Sequence, residues 1–173
     1  MEAKKAKDSL VIMNELVMPN DTNQYDNLMG GRLMYWMDIA AALSSMKHSG
    51  RPTVTVSVDN LSFKKPINRG YVIQIHAQIT RAFKSSMEVH LKVFGENPVE
   101  KVRYQSNEAF YTFVALDENK RPIAVPQVTP ETEEEIRLFE ESATRRQIRL
   151  ILSGKTQTQN ASEELKSFFS KDQ

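Results

Sequence analysis

Across residues 73–93, apolar and polar positions alternate with a period of two. Ile73, Ile75, Ala77 and Ile79 share one face against Gln74, His76 and Gln78. After a short connection at residues 81–86, Met87, Val89, Leu91 and Val93 stand against Glu88, His90 and Lys92. The alternation predicts two half-buried strands joined by a hairpin. Residues 95–104 are polar and irregular and read as a loop, whereas residues 107–116 carry apolar side chains on both faces, as a central strand does. Upstream, residues 9–17 have β-type apolar content and end at the Pro19-Asn20-Asp21 turn. Residues 53–63 form another strand, with Val54, Val56 and Val58 on one face. After Asp59-Asn60 its apolar set continues at Leu61 and Phe63, shifted by one, which predicts a bulge there. A different pattern occupies residues 30–48. From Leu33 to Leu43 nearly every residue is apolar or small, predicting a helix inside the core that Ser49-Gly50-Arg51-Pro52 stops. A second helix is predicted from Thr129 as N-cap and Pro130 as first helical residue, with Ile136, Phe139, Ala143 and Ile148 as its apolar stripe and Arg145, Arg146 and Arg149 at its basic end.

The order is therefore strand, apolar helix, four strands, helix. Its simplest packing is an α+β domain in which a curved antiparallel sheet wraps around the first helix. That domain covers residues 1–152, and residues 153–173 form a polar tail in which Leu165, Phe168 and Phe169 have the spacing of a short amphipathic helix. No internal repeat is visible. At 173 residues the chain has material for one substantial core. It has no cysteine, which excludes disulfides, zinc-thiolate sites and thiol nucleophiles. Lys and Arg number 23 against 22 acids, a formal charge of +1, so composition makes no case for nucleic-acid or membrane-surface binding. The first residues carry no apolar leader run, and a cytoplasmic address is the default reading. His48, His76 and His90 form no recognisable triad or metal set and read as surface or capping residues; no metal is expected.

One residue resists the packing. Asp38 interrupts the apolar helix, where a carboxylate is disfavoured unless a hydrogen-bond donor compensates for lost water. It is either a structural group bonded to a neighbouring loop or a reactive one. Asn23, in the turn before the helix, can shape that loop as an Asx-turn residue, or its amide can orient a water or hold a carbonyl. Gly30 and Gly31 place amides at a helix N-terminus, where developing negative charge is stabilised, and they also suit a plain turn.

The segments Pro19-Asn20-Asp21-Thr22-Asn23, Gly30-Gly31, Trp36-Met37-Asp38, Thr53 to Asp59, Phe63-Lys64-Lys65-Pro66, Ser85-Ser86-Met87-Glu88-Val89 and Val125-Pro126 through Thr132-Glu133-Glu134 together resemble a hotdog-fold acyl-CoA thioesterase of the single-domain acyl-coenzyme A hydrolase type. The resemblance runs in order from about Leu10 to about Arg149. It implies hydrolysis of fatty acyl-CoA to fatty acid and coenzyme A. Asp38 would be general base or nucleophile, Asn23 the second catalytic position, and Gly30 and Gly31 the oxyanion amides. No cofactor is implied, coenzyme A being part of substrate and product. Arg81, Lys84, Ser85 and Ser86 in the hairpin, with Arg145, Arg146 and Arg149, are candidate contacts for coenzyme A, although a solvated basic helix end explains the last three as well. Gly70-Tyr71 departs from the Gly-Asp usual in the family.

Helix geometry adds a constraint. Asp38 follows Gly31 by two turns, about 10 Å along the axis, so one helix cannot easily present both its amides and its carboxylate to one thioester. A two-fold dimer, in which Asn23 and Gly31 of one subunit face Asp38 of the other, solves this, and the family's usual assemblies are trimers or pairs of dimers. Two other functions fit the fold. One is a non-catalytic module that senses acyl-CoA, and the other a dehydratase, which would want a histidine in the helix or its leading loop.

Overall fold

The computed structural model describes residues 1–59 and 61–154. They divide into two units, residues 1–131 and a helical unit from Thr132 onward. In the first unit the elements are β1 (Lys4–Lys5), a short 3-10 turn (Ala6–Ser9), β2 (Val11–Leu16), α1 (Gly30–Ser49), β3 (Thr53–Val58), β4 (Val72–Ala82), β5 (Ser86–Asn97), β6 (Val102–Ala115) and β7 (Val128–Thr129). The second unit contains α2 (Glu133–Leu152).

The alternating residues do what their period requires. Ile73, Ile75, Ala77 and Ile79 of β4, Met87, Val89, Leu91 and Val93 of β5, and Ala109, Tyr111, Phe113 and Ala115 of β6 form one buried face. The sheet is antiparallel throughout, in the order β2-β4-β5-β6-β3. Because α1 joins β2 to β3, the two edges, it has to cross the sheet, and it does so on the apolar face. Leu33, Trp36, Met37, Ala40, Ala41, Ser44, Ser45 and His48 repeat every three to four residues and are the buried side of that helix. Alanine and serine at its centre let the backbone approach the strands closely. Register shifts between Thr55 and Ser57, Ile79 and Arg81, and Val93 and Phe94 curl the sheet around it. Gly50, at φ +67°, closes the helix in the left-handed cap that glycine favours.

Several expectations are corrected. α1 is not buried all round: Tyr35 is 56% exposed, and Met34, Leu43 and Met46 also face outward. The stretch 95–104 is no loop, since β5 and β6 pair from Ser86–Val114 to Asn97–Val102 across one register shift. Gly95 makes this possible, because a Cβ there would stand 3.0 Å from the Tyr104 ring. The bulge in β3 falls between Thr55 and Ser57 and not after Asn60, and the strand ends at Val58. Thr129 pairs with Lys5 in the small β1–β7 ladder, and the N-cap of α2 is Thr132, whose side chain accepts from the Glu135 amide while Glu135 accepts from the Thr132 amide. The buried residues of α2 are Leu138 and Ser142, while Ile136 and Ala143 are exposed. Leu165, Phe168 and Phe169 lie outside the described residues. No described helix is long and apolar enough to cross a membrane.

Two histidines read as surface residues are buried. His90 is bonded to Glu108 at 2.6 Å. His48 is 1% exposed, and its Nε2–H donates to the Pro126 carbonyl at 2.8 Å. Burial, assisted by the Lys4 charge, holds the His48 pKa below the usual 6.5 against the opposing effect of the Pro126 bond. The unfolded chain therefore binds a proton at His48 before the folded chain does, and stability falls as pH drops below about 6.5 until the folded-state pKa is passed. Thermal melts of wild type and His48→Gln between about pH 8 and about pH 5 check this: the advantage of wild type over the variant should narrow on acidification. A constant difference would contradict it.

Candidate active site

The turn leading into α1 is built by one asparagine side chain. Asn23 Oδ1 accepts the amides of Tyr25 at 2.9 Å and Asn27 at 3.2 Å, while the Asn23 amide donates to the Asn27 carbonyl at 2.8 Å. Two backbone donors on one side-chain atom require that atom to be the oxygen. The Nδ2 amine is thereby fixed as the free end, and Asn23 lines a cleft of about 320 Å³. The expectation of a simultaneous donor and acceptor narrows to a donor, since the oxygen is committed to the turn.

Asp21 secures the same turn from the other side. Its carboxylate accepts the Met18 amide at 3.0 Å and pairs with Arg32 at 2.9 Å, and its carbonyl takes the Met29 amide. The helix that follows has no side-chain cap at Met29, so its first amides, Gly30 and Gly31, keep their hydrogen-bonding capacity. Gly30 lines the cleft, and a Cβ there would come within 3.0 Å of the Phe63 ring. The opposite wall is the chain after β3, held in place by β6: Ser106 donates to the Lys65 carbonyl at 2.7 Å, Asn107 to Ser62 at 2.5 Å and Tyr104 to Pro66 at 2.5 Å. Leu28, Leu33 and Ile67 make the floor apolar.

Asp38 is not part of that cleft. It is half-buried, and its Oδ1 accepts the Thr55 hydroxyl of β3 at 2.7 Å. One position earlier in the strand's repeat, Thr53 Oγ1 meets Ser45 Oγ at 2.6 Å. The hydroxyl face of β3 thus looks at α1, while Val54, paired with Val114, looks outward. Past the bulge Val58 pairs with Tyr111 and has changed face, so the three valines expected on one face are split, Val54, Val56 and Val58 being 43%, 55% and 40% exposed on an edge strand. Sequence reasoning missed Thr55 as a site residue. The signal was the Thr53/Thr55 alternation opposite the valines, unusual for a strand whose apolar face would ordinarily turn inward.

The candidate coenzyme A contacts belong to two units. Arg81, Lys84, Ser85 and Ser86 sit around the β4–β5 hairpin, where the Arg81 guanidinium lies 5.5 Å over the Phe83 ring, and none of them lines the cleft. Its cationic lining residue is Lys65, which the sequence reading placed in a matching segment but did not name as a site residue. Arg145, Arg146 and Arg149 belong to α2, where Arg145 bonds Glu141 at 3.1 Å and the Leu138 carbonyl at 2.7 Å. Tyr71 Oη accepts from Asn97 at 3.2 Å. No three described His, Asp or Glu residues cluster to hold a metal ion. Chemically, one protomer shows a carboxylate held by a hydroxyl and, apart from it, a cleft with a neutral amine and helix N-terminal amides.

Comparison with known proteins gives this arrangement its family. Residues 25–102 match the Thioesterase superfamily. The chain is 41% identical over 144 residues to the uncharacterized acyl-CoA thioester hydrolase YkhA of Bacillus subtilis, covering 83% of this chain and 84% of that one. It superposes on an apo-hexameric acyl-CoA thioesterase with TM-score 0.86 at 35% identity, over 88% of this chain and 98% of the other. It also superposes on the acyl-CoA hydrolase of Staphylococcus aureus in complex with butyryl coenzyme A, with TM-score 0.81 at 35% identity over 88% and 95%. That hydrolase has also been solved with an aspartate, an asparagine or a threonine replaced by alanine. The curled antiparallel sheet around α1 is the hotdog fold, and the chain belongs to the acyl-CoA thioester hydrolases of the thioesterase superfamily.

Proposed function

We propose that this protein hydrolyses fatty acyl-CoA to free fatty acid and coenzyme A at a site completed by two protomers. The observation that carries the reading is the division of the chemistry: Asp38, held by Thr55 beside an edge strand, and the Asn23–Gly30 cleft at the start of the same helix. In the assembled site Asn23 Nδ2 and the Gly30 and Gly31 amides of one protomer donate to the thioester oxygen. Asp38 of the other takes a proton from water as the water oxygen bonds the carbonyl carbon. Collapse of the tetrahedral species breaks the C–S bond, and the proton returns to the departing sulfur. A carboxylate acting directly as nucleophile uses the same geometry.

Two observations support the division of roles. The replaced asparagine, aspartate and threonine of the S. aureus hydrolase stand in the same order and at the same intervals along the chain as Asn23, Asp38 and Thr55. The edge of β3, with its exposed valines, and the outward-facing Tyr35 and Met34 of α1 offer unpaired backbone and apolar surface of the kind a second copy would cover. A dimer formed there brings a partner to the side of the sheet where Asp38 lies, and dimers of this kind can group further into a pair or a trimer. Arg81, Lys84, Ser85 and Ser86 are proposed coenzyme A contacts, and so are Arg145, Arg146 and Arg149 of α2. A cytoplasmic location belongs to the same proposal.

Thiol release from a panel of acyl-CoA chain lengths tests the activity. Release is expected, and its absence at every length would favour a module that binds acyl-CoA without cleaving it. Thr55→Val keeps the shape of the strand residue and removes the donor to Asp38, so kcat should fall by about tenfold, the worth of a hydrogen bond to a charged group. An unchanged kcat would remove Thr55 from the site.

A further inference from the structure

Tyr111 lies on the buried face of β6 between Ala109 and Phe113, and it is 1% exposed. Its hydroxyl has no hydrogen-bond partner among the described residues. A buried hydroxyl left unpaired costs free energy, so its presence calls for an explanation. The register shows where it sits: Thr55, which holds Asp38, is paired directly with Phe113, and Tyr111 is the next residue on that face. Diagonal neighbours on one face of a sheet are within reach of an aromatic side chain. The residues paired with Tyr111 itself, Val58 and Val89, carry no polar atom on their side chains, nor do Ala109 and Phe113 beside it on β6, and the hydroxyl of Thr55 is already given to Asp38. From the helix packed over this face, the charge that acts on Tyr111 is that of Asp38.

We infer that Tyr111 is a positioning residue whose hydroxyl donates a hydrogen bond to the Asp38 carboxylate, on the side that Thr55 leaves open, when the site is assembled. The inference rests on the reading of Asp38 as the reactive carboxylate. Two donors from neighbouring strands would hold both carboxylate oxygens, fixing the plane of the group toward the attacking water. Burial first, and the negative charge of Asp38 second, push the phenol up to about 12, so it stays protonated and remains a donor at any pH at which the enzyme works. It cannot compete with Asp38 for the proton of the water.

Tyr111→Phe removes one oxygen and leaves the ring in the core. Its kcat for thiol release should fall by about tenfold to a hundredfold with KM and melting temperature unchanged, the signature of a lost hydrogen bond to a charged group. In an Asp38→Asn background the same substitution should cost nothing further. Wild-type kcat in Tyr111→Phe would overturn the inference, as would equal losses in both backgrounds, or a loss accompanied by a lower melting temperature and a raised KM. If Asp38→Asn alone retained wild-type kcat, the assignment of Asp38 would fail separately, and any loss in Tyr111→Phe would then arise without Asp38, which also overturns the inference.

Discussion

Asp38→Asn should lower kcat for thioester cleavage by about a thousandfold, within the range ascribed to a positioned general base, while KM stays near the wild-type value. Asparagine has the shape of aspartate and keeps an oxygen for the Thr55 hydroxyl, so the 2.7 Å contact and the strand it organises survive. What disappears is the ability to take a proton or to attack a carbonyl. Asp38 is half-buried and lies outside the cleft of its own protomer, so the substitution leaves the substrate-polarising end of the site untouched. A loss confined to kcat is the mark of an interaction used in the transition state. Near-wild-type kcat would return Asp38 to the role of a structural carboxylate bonded to β3. A burst of thiol in the wild type, stoichiometric with sites, would identify direct attack in place of proton abstraction.

Asn23→Asp should be nearly as damaging, with kcat reduced by at least about a hundredfold, comparable to removing an oxyanion donor elsewhere. Aspartate retains an acceptor for the Tyr25 and Asn27 amides, so the turn holds. It replaces the free amine with a negatively charged oxygen that repels the developing oxyanion. Asn23→Ala removes the donor and the turn together, and comparing the two variants separates chemistry from loop support. If Asn23→Asp is active while Asn23→Ala is not, the residue serves only the Asx-turn.

The sequence is most informative where a residue's role is set by its immediate neighbours. The period of two fixes the inward faces of β4 and β5, and Gly30 and Gly50 bracket α1 without reference to the rest of the molecule. Cross-strand relations are less visible. Gly95 extends the β5–β6 pair because it faces Tyr104, and nothing in either stretch alone announces that pairing. Val54, Val56 and Val58 read as one face, but the bulge divides them, and which residues met the helix depended on Ser45 and Asp38 offering polar partners to Thr53 and Thr55. For the same reason Asp38 could be recognised as anomalous without its hydroxyl partner being found. The helix looked all-round apolar because Met34, Tyr35, Leu43 and Met46, turned away from its own sheet, are apolar too, and composition cannot distinguish the two surfaces. Thr129 and Thr132 compete as caps three residues apart; the capping box with Glu135 decides for Thr132.

In the proposed site the donors come from one protomer and the carboxylate from another. Asn23→Ala and Asp38→Ala subunits, each inactive alone, should be unfolded together, refolded as a mixture and assayed for thiol release. A mixed dimer places an intact Asn23 opposite an intact Asp38 at one of its two sites and both lesions at the other. Activity should therefore reappear on mixing, and about half of all dimers should be mixed if pairing is random. Mixtures in which exchange is demonstrated by differently tagged subunits, yet which stay as inactive as either parent, would contradict a shared site.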